Sequence, residues 1–411
     1  MKRILFVDDE IAVLDGLRNL LHKRRREWDM TFALGAQAAL EELARAPFDV
    51  VVSDMRMPGM DGADLLRVVK DQYPGVARVI LSSHAEQDMV SRALAVAQQY
   101  LYKPCDGEVL RGVIERVCQL QSLVTGTAVR EIVGRLDRLP SIPDTYFTLT
   151  RSIEDPTVRT DDIARIVQRD PAMCVKVLQL VNSAYFGLSR PMSSVAHAIS
   201  YLGLDLLRGL ALTLNVFAAT DPRTSARMSF EKLQQRAILT ARVAKQLVAD
   251  PNEAEAAFTA GLVHDIGTII LALTVPDRHA EVVRRSLATR TPSHIVEREL
   301  LGVTHAEVGG YLLGVWGLPL PIVEAVAYHH GLPAERCTRM DAAMALYVAD
   351  ALAAHALSGP HRPGDAAAGL DLSALEAAGV ERELPRWRAL ADREARAMLA
   401  REMNRREASA I

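Results

Sequence analysis

Over the first 125 residues, short β-branched apolar runs alternate with helical-period stretches; beyond about residue 140 the alternation stops. The strand-like runs are Arg3–Val7, Thr31–Leu34, Phe48–Ser53, Arg78–Ser82 and Tyr100–Tyr102. Amphipathic stretches lie between them near Ile11–Arg26, Ala36–Arg45, Asp61–Tyr73 and Glu86–Gln98, and a last one starts at Gly107. FDVVVS is apolar at most positions, as a strand covered on both faces must be. Five strand–helix units with short loops predict an α/β domain, a doubly wound parallel five-stranded sheet. From Asp144 onward the pattern is helical throughout, with N-cap signals at Thr160–Asp162, Asp170-Pro171 and Ser193-Ser194. Further runs follow near Phe230–Ala249, Glu253–Thr274, Arg278–Ala288, Ser293–Leu301, His305–Trp316, Pro321–His330 and Asp341–Ala356. The chain is thus read as multidomain, α/β first and all-α second.

Length agrees: 411 residues exceed one hydrophobic core at roughly 100–200 residues per domain. Formal charge is −3, and a cut near residue 125 leaves both parts close to neutral, which argues against nucleic-acid binding. Four cysteines without a C-x-x-C pair suggest neither a zinc knuckle nor a disulfide framework. MKRILFVDDE turns acidic too early for a signal peptide. No apolar run approaches the ~18 residues of a membrane span; the best, Gly209–Thr220, is shorter and includes Asn215. The expectation is a soluble cytoplasmic protein without a membrane partner.

In a doubly wound sheet, chemistry collects at the carboxyl ends of the strands. There the sequence places Asp8, Asp9 and Glu10, then Asp54, then Ser82-Ser83, then Lys103-Pro104. Converging carboxylates repel one another and invite a hard cation such as Mg2+. An ammonium beside them balances residual charge and can hold a phosphoryl oxygen. That set suits phosphoryl transfer onto a carboxylate, with Asp54 the natural acceptor. FVDDE (Phe6–Glu10), SDMRMPGMDG (Ser53–Gly62), ILSSH (Ile80–His84) and YLYKP (Tyr100–Pro104) stand in the order of the CheY-like receiver domain of two-component response regulators, and the first 120 residues closely resemble it. The resemblance implies Asp54 as phosphoacceptor, Mg2+ on Asp9 and Asp54 with Asp8 assisting, and Ser82 as the hydroxyl that swings toward the phosphoryl group. It further implies Tyr100 as the aromatic switch and Lys103 as the phosphate-contacting lysine. A sensor histidine kinase is the implied partner. Self-phosphotransfer and autodephosphorylation are the implied chemistry.

Gly107–Leu136 reads as one long helical pattern, weakened by glycines after Thr125 and stopped by LPSIP at Leu139–Pro143. This places a receiver domain at 1–122, a helical linker at 123–140, an all-helical output domain at 141–357, and a loop with a charged terminal helix at 358–411. In the output domain, His264-Asp265 stand in AGLVHDIG, His305 opens a helix, His329-His330 end another, and Asp350 lies on the next. Histidine and aspartate gathered from separate helices can hold a divalent metal that makes hydroxide for phosphoester hydrolysis.

HDIG with the later His-His and a helical Asp points to the HD superfamily of metal-dependent phosphohydrolases. IARIVQRDPAMCVKVLQLVNSAYFG (Ile163–Gly187), SVAHAISYLGLDLLRGLAL (Ser194–Leu212) and HAEVGGYLLGVWGLP (His305–Pro319) more closely resemble the HDOD domain, a relative lacking the GYP loop. That resemblance implies a protein-interaction module of bacterial signalling whose hydrolytic activity is usually lost. Departures from a working hydrolase are visible. The stretch Phe230–Leu247, which should donate the first metal-binding histidine, has none; Arg236 or a neighbour occupies that place, and a cation there would oppose metal. Thr268 stands where the cyclic-dinucleotide phosphodiesterases have lysine, and Gly331-Leu332 follow His-His in place of the acidic residue and GYP loop of those enzymes. A partial metal site from His264, Asp265 and Asp350 with His305 or His329 stays open, as do buried structural histidines. Asn182 and Ser183 are expected to satisfy backbone groups at a helix end. The expectation is a phosphorelay response regulator whose Asp54 controls an HDOD module acting on an unidentified downstream protein. A homodimer is an open alternative, and a cyclic di-GMP or nucleotide phosphodiesterase is the competing class.

Overall fold

The computed structural model describes residues 1–82, 92, 96–103, 107–123, 127–136, 139, 143–155, 157–182, 188, 190–204, 207, 229–357 and 370–409. Most of the expected Glu86–Gln98 helix, Ser83, Pro104, Ser183 and Gly209–Thr220 lie outside these residues.

Five strands, β1 (Lys2–Asp8), β2 (Trp28–Leu34), β3 (Val50–Asp54), β4 (Ala77–Ser82) and β5 (Gln99–Tyr102), form one parallel sheet in the order β2-β1-β3-β4-β5. Side chains alternate across a strand, so the sheet feeds two separate cores. Leu5, Val7, Val51, Ile80 and Tyr100 face one, and Ile4, Phe6, Val50, Val52, Val79 and Leu101 face the other. Helices α1 (Ile11–Leu20), α2 (Gly35–Arg45), α3 (Gly62–Gln72) and α4 (Gly107–Leu123) supply the apolar partners. The order reverses between β1 and β3, and Asp8 and Asp54 end those two strands.

Within the expected helix Gly107–Leu136 the described residues form α4 and α5 (Thr127–Gly134), and residues 124–126 between them lie outside the described residues. Val129 and Val133 of α5 are buried in the helical core that follows, while Arg130 lies 3.5 Å from Asp49 of the α/β domain. Further helices are α6 (Pro143–Glu154), α7 (Thr160–Val167), α8 (Pro171–Val181), α9 (Val195–Leu202), α10 (Phe230–Leu247), α11 (Pro251–Val263), α12 (Ile266–Thr274), α13 (Pro276–Thr289), α14 (Ser293–Leu301), α15 (His305–Val315), α16 (Leu320–Tyr328), α17 (Ala342–Leu357), α18 (Leu372–Ala377) and α19 (Leu384–Ser409). Two expected caps form as drawn: Asp170 accepts from Ala172 N and Met173 N with Pro171 behind it, and Ser194 accepts from His197 N. At α7 the cap position is Arg159 without a side-chain bond, and Thr160 is already helical. Asn182 holds Met192 at both its backbone groups, at 2.8 and 2.6 Å. Trp387, Leu390 and Ala395 of α19 are buried in the same core as α10 and α17.

The expected helix Glu253–Thr274 breaks at His264-Asp265 into α11 and α12. By length and composition this stretch, Pro251–Thr274, is apolar enough to cross a membrane. This corrects the expectation that no apolar run nears a membrane span; Glu253, Glu255, His264 and Asp265 interrupt its apolar residues and hide its length. In the fold 72% of its most apolar window is buried, so it is the central layer of the helical domain.

Candidate functional sites

At the carboxyl edge of the sheet, Lys103 Nζ lies 2.7 Å from Asp8 Oδ2 and 2.5 Å from Asp54 Oδ1. Asp8 and Asp54 are buried, whereas Asp9 is exposed. The second oxygens are also held: Asp8 Oδ1 accepts from Glu10 N and Asp54 Oδ2 from Arg56 N. Burial raises the pKa of Asp54, and Lys103 only partly offsets it. Burial works against the Lys103 ammonium, yet hydrogen bonds to Asp54 and Asp8 outweigh it and hold its pKa above the ordinary value. Two carboxylates thus share one ammonium, with a third next in sequence. This surplus of negative oxygen donors fits a divalent hard cation. Ser82 ends β4 buried, and its carbonyl accepts from Lys103 N at 2.6 Å. Tyr100 is buried among Met55, Met57, Ile80 and Val96.

The second site lies where α10, α14, α15, α16, α17 and the α11–α12 break meet. His264, Asp265, His305, His329 and Asp350, dispersed over 87 positions, come together here, and Arg236 joins them. His264 Nε2 lies 3.2 Å from both Asp265 Oδ2 and Asp350 Oδ1, without a well-aligned hydrogen bond to either. His264 Nδ1 donates to Gly261 O. His305 Nε2 lies 3.4 Å from Asp265 Oδ1. The Arg236 guanidinium forks onto Asp350, with Nε and Nη2 at 3.0 and 2.7 Å from Oδ1 and Nη2 at 2.9 Å from Oδ2. Its Nε is also 3.7 Å from Asp265. Asp350, foremost, holds the guanidinium pKa above its ordinary value. Burial alone would raise both carboxylates, but His264 and Arg236 outweigh it and hold them well below their usual range. Burial likewise opposes charge on His264, and Asp265 and Asp350 overcome it, raising the imidazole to about 10.

Two participants, Glu297 and His294, were not among the sequence candidates, and a third, His330, was named only within the His-His dipeptide. Glu297, buried on α14, accepts from the backbone N and from Nδ1 of His305, both at 2.7 Å. This is the carboxylate–histidine arrangement that orients a ligand imidazole. His330 Nε2 is 2.9 Å from His305 Nε2, and the His294 ring stacks on His330. The His-His dipeptide flagged His330 without separating its role from that of His329; nothing in the local pattern marks Glu297 or His294.

Could this set hold a metal? His329 Nδ1 donates to Val326 O, which leaves a buried Nε2 without a hydrogen-bond partner. Burial lowers His329 to about 3, so that Nε2 carries a lone pair. Donor atoms of His305, His329 and His330 lie within 4.8 Å of one another, as do those of His264, Asp265 and His329. The imidazoles therefore fit a borderline divalent ion. The Asp265–Asp350 pair is already neutralised by Arg236, as the missing histidine in Phe230–Leu247 foreshadowed.

Comparison with known proteins agrees with both halves. The response regulator receiver domain matches residues 4–115 and the HDOD domain matches 139–332. The chain therefore carries a response regulator receiver domain linked to an HDOD domain. It is 26% identical over 228 residues to an uncharacterized protein of Treponema pallidum, covering 56% of this chain and 44% of that one. The chain therefore spans less than half of that relative's length. The MmoQ response regulator of Methylococcus capsulatus is 25% identical, covering 61% of this chain and 98% of that one, with a TM-score of 0.49. A virulence factor of Campylobacter jejuni shares the fold at 19% identity and TM-score 0.50, covering 66% and 97%.

Proposed function

We propose that a sensor histidine kinase phosphorylates Asp54 with Mg2+ bound at Asp8, Asp9 and Asp54, and that phosphorylation controls an HDOD module acting by binding a downstream protein. Asp54 supplies the accepting oxygen. Lys103 offers the cation for a phosphoryl oxygen, and Ser82 and Tyr100 relay the change of charge. When bound, the magnesium would neutralise the incoming phosphoryl group. The reading divides the chain at 1–122, 123–140, 141–357 and 358–411 and places it in the cytoplasm, with a homodimer as an alternative assembly.

The observation that carries the non-hydrolytic part is Arg236 forked on Asp350. A cation that cannot lose its proton occupies the pair a catalytic metal would need. Metal content and cyclic di-GMP turnover of the purified protein, with manganese or iron supplied, test it. Absence of turnover is expected. Turnover that is lost in His264→Ala would reverse the reading in favour of an HD-type phosphodiesterase. That second reading draws on one observation, the unpartnered Nε2 of His329 beside His305 and His330.

A further inference from the structure

Helix α15 touches both sites' supports. Its carboxyl end carries carbonyls that no residue of its own helix can satisfy. The receiver satisfies two acceptors at this end: Gln99 Nε2 donates to Val315 O at 2.5 Å, and Arg116 Nη1 donates to Gly317 O at 3.2 Å. Gly317 closes the helix with φ +84°, and a Cβ there would stand 3.0 Å from Gln99 Nε2. One turn back, Gly314 lets Leu120 of α4 close in; a Cβ on Gly314 would sit 2.6 Å from the leucine methyls. Tyr311, buried on the same helix, is close enough to Gln121 of α4 to interact with it electrostatically. The amino end of α15 is anchored by a Thr304–Glu307 capping box, and its first residue is His305.

On the receiver side, the same short strand links these contacts to the phosphoacceptor. Gln99 opens β5, Tyr100 follows, and Lys103 leaves its far end to reach Asp54. The length of this eleven-residue helix, about 15 Å from Val315 back to His305, then separates the Gln99 contact from His305 and its partners Glu297, His330 and Asp265. Helices packed this closely slide as units and do not bend continuously.

We propose that α15 is a rigid coupler: a change at Asp54 moves β5 and α4, displaces the carboxyl end of α15, and shifts His305 against Asp265 and His330. The link runs both ways, so whatever occupies the histidine cluster alters the affinity of the Asp54 site for a phosphoryl mimic by the same coupling free energy. This rests on the reading of Asp54 as the phosphoacceptor.

The test uses the full chain with 13C-labelled histidine and beryllofluoride as phosphoryl mimic. Bound fluoride is followed by 19F NMR, and the imidazoles of His305 and His330 by 13C–1H spectra. In the parent protein, both imidazole signals are expected to shift on binding. In Gln99→Ala/Arg116→Ala, the shift is expected to fall at least fivefold while the bound 19F signal persists. Gly314→Val, which must push Leu120 away, reaches the same loss by a different contact. Bound fluoride with unmoved histidine signals in the parent, or full shifts in both variants, overturns the coupler. Failure of fluoride to bind at all overturns the Asp54 reading instead, and this proposal with it.

Discussion

Both sites bury two carboxylates and answer them with a basic side chain, Lys103 in the receiver and Arg236, beside His264, in the helical domain, and the lysine and the arginine differ in kind. In the receiver the answer is Lys103, a point charge on a flexible stem that bonds one oxygen of each of Asp8 and Asp54. In the helical domain the answer is Arg236, a planar fork that takes both oxygens of Asp350. An ammonium leaves room and negative charge for an ion and a phosphoryl group; a forked guanidinium fills the place. The contrast teaches that a carboxylate cluster is chemically open or closed according to the geometry of its counter-charge.

The largest expected effect attacks the open site. Asp54→Ala should abolish phosphotransfer from acetyl phosphate or a kinase, read by Phos-tag electrophoresis; undiminished labelling would remove Asp54 as acceptor. The closed site should respond in stability. Arg236→Met leaves Asp265 and Asp350 facing each other with only His264 between them. Unpairing a buried ion pair costs about 3–5 kcal/mol. A third of the Arg236 side chain meets solvent, so about 2–4 kcal/mol is expected from urea unfolding. A value below about 1 kcal/mol would mean that the carboxylates need no counter-charge. Arg236→His asks whether the guanidinium is what shuts the metal out. It should gain a divalent ion at near one per chain by mass spectrometry, and a metal-free variant would place the block elsewhere. Asn182→Ala loses two hydrogen bonds to Met192 and is expected to cost about 1–3 kcal/mol. At the bottom stands Arg386→Ala, which breaks an exposed pair with Glu383 and should leave Tm unchanged.

Much of the receiver was legible because its chemistry is local to strand ends. Asp8, Asp54, Ser82 and Lys103 each end or immediately follow a strand whose apolar run announces it. The parallel topology then brings those ends to one edge. In the helical domain the candidates were visible as residue types, but their grouping was not. His264-Asp265 were read inside a continuous helix, and the break between α11 and α12 escaped notice because its apolar flanks match a helical period on both sides. Glu297 and His294 carried no signal, since their role depends on α14 packing beside α15 and α16 rather than on spacing.

By itself the sequence determined the class of each half: alternating strands and helices for the receiver, capped helices with an HDIG core for the output domain, and no histidine in the stretch that should donate the first metal ligand. Those are properties of short windows, governed by periodicity, caps and side-chain chemistry. Only the tertiary structure decided that Arg236 forks on Asp350, that Glu297 orients His305, and that the receiver's Gln99 and Arg116 cap the far end of the same helix. These contacts join residues from 8 to more than 200 positions apart. Their geometry follows from how helices pack, which no local pattern encodes.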